Sequence, residues 1–403
     1  MQPYIYRPPT LLARANVGTW LRKAILYALL LPILSGCSRE AEEAAPLGMV
    51  ANGGLVHPQA QYLPFADQPR ANARLNDSTG DGDLLTSLLE SLQVLHTVGA
   101  DSSAPFGEVA KVVAIGEDVG VFDPYQAGLH VVAPDGTLET TVGRAGAGPG
   151  EFRRPTAVYV PHPDTLLLAD VMRKIEVFAR SATSSEWRHV RTVTLDFSVS
   201  DICRGRDAYF AYGYATPGSG GPIRELDDSL RVSRQFGEVY ASQNEGINHA
   251  FATYAMACDA ATDRIVVAPK AGIGELYFVD GAGAVDHILH WVDYKAFHIE
   301  EDSTGYSVRP SQDGVNRLRT LGMLAPGILL VQYDWVSASD LANKSDYSVL
   351  HSLAIDMREA TILARSISLP PLSVLDAGRI AMHLTDPSPG VAIGAIRNAG
   401  RGR

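Results

Sequence analysis

Histidines, carboxylates and cysteines are the residues of this chain whose chemistry extends beyond packing. There are eleven histidines, among them His130, His162, His189, His249, His287, His290, His298 and His351. Imidazole binds divalent metals and titrates near neutrality, so each is a candidate ligand or proton carrier. Their spacing argues otherwise: no HxH or HExxH pair occurs. His287 and His290 stand three apart, which on a helix allows a shared metal but on a strand sends the rings to opposite faces. All are therefore read as structural or solvent-facing. Asp123 and Asp170 each close an apolar run ahead of a polar turn, where an Asp side chain accepts turn N–H bonds. Their recurrence at one pattern position favours turn capping over paired acid–base work. No GxSxG is present, and no Ser/His/Asp or Cys/His set can be assembled from spacing. Asp77, Asp81 and Asp83 partly match a calcium loop, but the twelfth-position Glu is missing.

Of the three cysteines, Cys37 carries the clearest signal. A basic stretch ending in Arg22-Lys23 precedes the apolar run Ala24–Leu34, and the small residues Ser35 and Gly36 lead to Cys37. That is the layout of a secretory signal. Leu34-Ser35-Gly36-Cys37 has the form of a lipobox, at which the cysteine thiol is acylated and the chain cut before it. The apolar run of about 11 residues is too short to span a bilayer, which needs roughly 20. Ser38, rather than Asp, follows the cysteine, a pattern associated with sorting to the outer membrane. Export would place Cys203 and Cys258 where a disulfide persists. Each lies close to a turn and an apolar strand, and sequence leaves a bridge and two buried thiols both open.

The formal net charge is −11, and the four charged side chains before Cys37 are all basic, so a chain cut there is more acidic still. An acidic surface repels phosphate backbones, and Arg153-Arg154 and Arg173-Lys174 are short, separate runs. Nucleic-acid binding is excluded.

The elements that must position these residues are strands. Residues 1–36 read as signal peptide, 37–83 as a lipidated cysteine and disordered tether, 84–396 as a folded body and 397–403 as a disordered tail. Short β-branched and aromatic runs recur at Glu108–Ile115, Val119–Phe122, Leu129–Val132, Ala157–Val160, Thr165–Ala169 and Ile175–Phe178. Asp135-Gly136 and Asp280-Gly281 supply hairpin turns between such runs. Leu84–Leu95 has the makings of a short helix, but no long helical stripe follows; the class is all-β. The pattern of strand, Asp, turn, strand over 119–138 returns over 165–180 and more weakly from Arg264, a period of about 40 to 50 residues. That period fits a four-stranded blade, which buries its faces only against neighbouring blades. Division gives six blades, at 107–148, 149–196, 197–241, 249–311, 312–365 and 366–395. Leu92–Val98 completes the last blade and closes the ring; seven remains open as a count. Residues 291–316 and 334–345 are expected to be long loops.

The segment Gly143-Arg144-Ala145-Gly146-Ala147-Gly148-Pro149-Gly150-Glu151-Phe152-Arg153-Arg154-Pro155, followed by Ala157–Val160, Leu166-Leu167-Leu168-Ala169-Asp170, Ile175 and Val177-Phe178, resembles the NHL-type repeat. It is similar to that of six-bladed β-propeller lipoproteins of Gram-negative bacteria, over about 50 residues from Leu129 to Arg180. Gly148 and Gly150 would permit the tight crossing between blades, Phe152 would wedge between sheets, and Pro155 would start a strand where its missing N–H is harmless. The glycines are not a phosphate cradle, because no Lys-Ser or Lys-Thr follows and a strand stands where a helix would be required.

Related propellers include lyases and lactonases with a metal at the central channel, so the resemblance leaves room for a divalent ion there and for a metal-dependent lyase or hydrolase. The residues themselves predict no cofactor. The favoured expectation is an envelope-anchored propeller that binds an envelope protein, peptide or glycan without catalysis and meets the membrane through its lipid. The aromatics Tyr209, Phe210, Tyr212 and Tyr214, and Trp291, Tyr294 and Phe297, read as blade core, with ligand sites expected at channel-mouth loops.

Overall fold

A computed structural model describes residues 55–56, 63–75 apart from 66, 85, 91–99 and 106–396. Within the last span, 182–185, 215–219, 239–247, 249–252, 271, 303–304, 344–348, 368, 377 and 385–387 are outside the description. Cys37, the acidic triplet Asp77, Asp81 and Asp83, and His249 therefore lie outside the described residues.

Six antiparallel meanders follow one another along the chain. Blade one is Lys111–Ile115, Asp118–Asp123, Gly128–Val132 and Leu138–Val142. Blade two is Pro155–His162, Thr165–Asp170, Lys174–Arg180 and Trp187–Thr194. Blade three runs from Val199–Arg204 to Val232–Phe236, and blade four from Tyr254–Asp259 to Val285–Trp291. Blade five runs from Val315–Ala325 to Thr361–Ser366. Blade six joins Leu372–Val374, Arg379–Leu384 and Gly390–Ile396 to Leu92–Val98 from the other end of the chain. The first strands of successive blades touch one another in a closed circle, so they line the axis. The count is six.

Packing follows from the alternation of the strands. A blade is apolar on both faces and must be covered twice. Six hydrophobic clusters meet this need, one per seam; Phe152, Leu129 and Leu168 fill the seam between blades one and two, and Trp291, Phe278 and Tyr333 that between four and five. Pairing of Leu92–Val98 with Gly390–Ile396 gives blade six its fourth, outermost strand and closes the ring with segments far apart in the chain.

Three expectations change. Residues 63–75, read as tether, pack on blade four: Ala71–Ala73 adds a parallel fifth strand beside Val285–Trp291, and Leu75 enters the core between blades four and five. Composition hid this because the anchors, Phe65 against the core between blades three and four, Arg70 on Glu275 and Leu75, are scattered among Pro, Ala and polar residues. The expected loop at 291–316 contains the hairpin His298–Asp302 and Gly305–Arg309, paired in turn with Leu55–Val56. The expected loop at 334–345 instead finishes the strand Ile328–Val336 and turns into the helix Ala338–Asn343, where the Ser337 hydroxyl caps the Asp340 N–H at 3.1 Å. The helix expected to start within 84–95 is present at Leu85 and Ser91, and strand takes over at Leu92.

Candidate functional site: the axis and the loop face

The meander gives the ring two unlike faces. Turns joining first to second strands, and third to fourth, all emerge on one face and hold two to six residues. Connections from second to third strand and from blade to blade emerge on the other and reach 23 residues between Trp291 and Val315. The long face carries the helix, the inserted hairpin and the segment docked on blade four. Its turns also hold the exposed apolar side chains Tyr125, at 79% exposure, Met172, Val292 and Ile367.

The sequence-predicted residues organise the entrances to this face. Asp123 accepts N–H bonds from Tyr125 and Gln126 in its own turn and from Gly107, sixteen residues back, at 2.6 Å. Asp170 repeats the arrangement with Met172 and, again sixteen back, Arg154. Each carboxylate thus ties a turn to the segment entering its own blade. Burial works to raise the Asp123 carboxyl, but His130 and the N–H groups of Gln126 and Gly107 outweigh it and hold it below the ordinary value. Gly150, at φ +73°, takes a conformation that a Cβ would strain. Glu151 folds back to accept the Gly148 N–H at 2.9 Å, Phe152 is fully buried in the seam, and Pro155 opens the strand. These residues build the crossing and leave no group free for a ligand.

Cys203 and Cys258 lie one residue from the end of the first strands of blades three and four, and a disulfide joins them with Cα atoms 5.7 Å apart. A charged tie crosses the axis near them. Lys111 of blade one reaches past blade two to Asp201 of blade three at 3.1 Å, and Asp201 also accepts the Met256 N–H from blade four at 2.9 Å. Blade two joins through the Thr156 hydroxyl, which donates to the Val199 carbonyl. Four inner strands are held by one small network.

The opposite side of the axis is built differently. Asp334, with 0% side-chain exposure, sits near the loop-face end of blade five's second strand. Arg317 donates to it from Nε at 3.2 Å and Nη2 at 2.7 Å, and Arg319 from Nε alone at 2.6 Å. Arg317 and Arg319 alternate with the core residue Leu318, so both project to one side, and an irregularity in register between Leu318 and Thr320 brings both onto the same oxygen. The Lys270 carbonyl accepts the Leu318 N–H at 3.1 Å, setting Lys270 alongside. Burial and then Asp123 raise the Glu108 carboxyl of blade one above its ordinary value, while Arg319 and Lys270 pull it down, so the three groups share one field.

Blade six contributes Ser373 and His383, with Oγ and Nε2 2.9 Å apart. Burial, and secondarily Arg319, push His383 down to about 4. The imidazole is neutral at physiological pH but a weak base, and among the described residues no carboxylate pairs with it; a nucleophile needs a stronger, oriented base. Among the described residues, no group of three or more His, Cys, Asp or Glu is placed to hold a metal ion. His189 lies 2.7 Å from Glu176 and His290 3.2 Å from Glu275, each beside a buried carboxylate. Sequence reasoning missed Lys111, Asp201, Arg317, Arg319 and Asp334. The available signal was two arginines at alternate positions of an apolar strand.

The ring, its seams and its charge-lined axis define a six-bladed β-propeller. Over residues 76–255 the chain matches the model of the family DUF5128, described as a 6-bladed beta-propeller. No curated protein matches by sequence. Similar solved structures include a Bacteroides fragilis protein described as exported, with TM-score 0.47, 10% identity, and 81% of this chain and 99% of that one covered. A member of the DUF4221 family from Bacteroides vulgatus gives TM-score 0.49 and 8% identity, covering 76% and 97%. BamB from Moraxella catarrhalis gives 0.37 and 10%, covering 75% and 99%. Among the described residues, no helix is long and apolar enough to cross a membrane.

Proposed function

We propose that this chain is an exported lipoprotein, held at the envelope through Cys37, whose propeller binds a partner protein, peptide or glycan on its loop face without catalysis. The carrying observation is the contrast between the faces: tight turns on one, and on the other every long connection together with turn-borne exposed apolar residues. Rigid scaffolds concentrate recognition on such loops. The signal layout ending at Cys37 supports anchoring, and a disulfide between Cys203 and Cys258 suits an oxidising compartment.

Two experiments test this reading. Palmitate labelling should be lost in Cys37→Ser, with the chain leaving the membrane fraction; labelling that persists would refute the anchor. A photo-crosslinking amino acid at Tyr125 or Met172 should give discrete adducts in intact envelopes, whereas one at Asp135, on the short-turn face, should not. Equal adducts from both faces, or none from either, would sink the loop-face assignment.

A further inference from the structure

We propose that the axial side of blade five is a carboxylate-binding site. In it the terminal nitrogens of Arg319, with Lys270 alongside, receive the ligand's carboxylate, and Glu108 of blade one accepts a donor on the same ligand. This rests on the binding function above and specifies its ligand chemistry.

Asp334 offers one negative charge to two guanidiniums. The Lys270 backbone lies beside the strand that bears them, and its ammonium acts on the same Glu108 carboxyl as Arg319 does. Among the described residues, neither Nη of Arg319 nor the Lys270 ammonium has a partner. With Glu108 counted, three cations face two carboxylates, and in a chain of net charge −11 that residual positive charge draws anions against the sign of the whole molecule.

Geometry adds preorganisation. Asp334 is fully buried and grips Arg319 by Nε, so the edge formed by Nη1 and Nη2 is held in place while the side chain stays 47% exposed. A guanidinium fixed at Nε presents two parallel donors, the match for a planar carboxylate, and loses little freedom on binding. Glu108 sets the other half of the specificity. Its carboxylate repels a dianion such as phosphate and favours a monoanion that also carries an ammonium or hydroxyl donor. Amino acids and peptide termini have this chemistry.

The test uses the full chain in detergent and calorimetric titration with L-alanyl-L-alanine, its C-terminal amide, N-acetyl-L-alanyl-L-alanine and inorganic phosphate. The free acid should saturate, and the amide should bind at least about tenfold more weakly, as expected for loss of charged hydrogen bonds. Arg319→Gln and Lys270→Gln should each weaken the free acid about tenfold or more. Lys270→Gln touches no buried carboxylate, so it reports binding even where Arg319→Gln perturbs the fold. Glu108→Gln should weaken the dipeptide yet tighten its N-acetyl form, a sign reversal that a purely structural role would not give. No saturable binding of the free acid, equal binding of the amide, tighter binding of phosphate, or unchanged affinity in a folded Lys270→Gln chain would overturn the proposal. Envelope crosslinks from Tyr125 that persist alongside such a failure would reject the carboxylate site alone; loss of both would reject the binding function.

Discussion

Glu176 in blade two and Asp334 in blade five both have 0% side-chain exposure, yet their partners are arranged in opposite ways. Glu176 is saturated from within its own blade: Lys174 at 2.6 Å, the Thr192 hydroxyl at 2.6 Å and His189 at 2.7 Å. Burial works to raise this carboxyl, and those three partners outweigh it and keep it below the ordinary value. The Lys174 ammonium is spent as well, donating to the carbonyls of Glu151 and Gly148 at the crossing from blade one. Asp334 instead holds two arginines, and among the described residues the outer nitrogens of Arg319 have no partner. A closed network locks a seam, whereas an open one holds a charge ready for something outside.

The largest expected effect breaks the closed network. Glu176→Gln leaves Lys174 buried without its counter-charge and should cost about 3–5 kcal/mol in urea unfolding. A cost below about 1 kcal/mol would show that the network is dispensable.

Glu275 is an intermediate case, because its cation comes from the docked N-terminal segment. Arg70 reaches it at 2.7 Å, while Tyr277 donates to it at 2.6 Å from within the blade. Arg70→Ala should cost about 2 kcal/mol, the range for a hydrogen bond to a charged group. Hydrogen exchange should quicken at Ala71–Ala73 while the four blade-four strands stay protected. Unchanged exchange at those amides would mean that strand pairing and Leu75 hold the segment alone.

Arg319→Gln should be nearly silent in unfolding, under about 1 kcal/mol, because Arg317 keeps both its bonds to Asp334 and Arg319 is half exposed. A loss as large as that of Glu176→Gln would place both networks in the same structural class.

A different kind of effect is a slope with pH. His383 is held at about 4 in the fold against an ordinary 6.5, so between these values the unfolded chain binds the extra proton. Its contribution is complete above pH 6.5 and is lost as pH falls toward 4. His383→Gln should flatten the stability profile in that window, and an unaltered slope would assign it to other groups. Below it, the lowered carboxyls of Glu176 and Glu275 lose their contribution as pH drops through and beneath 4.5, a decline that Glu176→Gln should reduce.

The blades were legible where local rules suffice. Alternating runs gave the strands, Asp123 and Asp170 marked equivalent turns, and the glycine-rich segment before Pro155 marked a crossing. Blades four to six were read with less detail because an inserted hairpin and a helix interrupt the period. The axial cluster was scarcely legible, since Asp334 meets Arg317 and Arg319 only after the chain reverses, and Glu108 enters their field from blade one. The docking of residues 63–75 was hidden for the same reason: Arg70 and Glu275 are 205 residues apart.

Closure of the ring sets an order in time. Leu92–Val98 is made well before its partner Gly390–Ile396. Until then Leu92–Val98 waits with bare hydrogen-bonding groups beside an unfinished ring. Such long-range pairing is slow, and an unpaired strand invites aggregation. A chain that stalls before Gly390 would therefore lack the partner of its first blade-six strand, leaving two edges exposed to any passing neighbour.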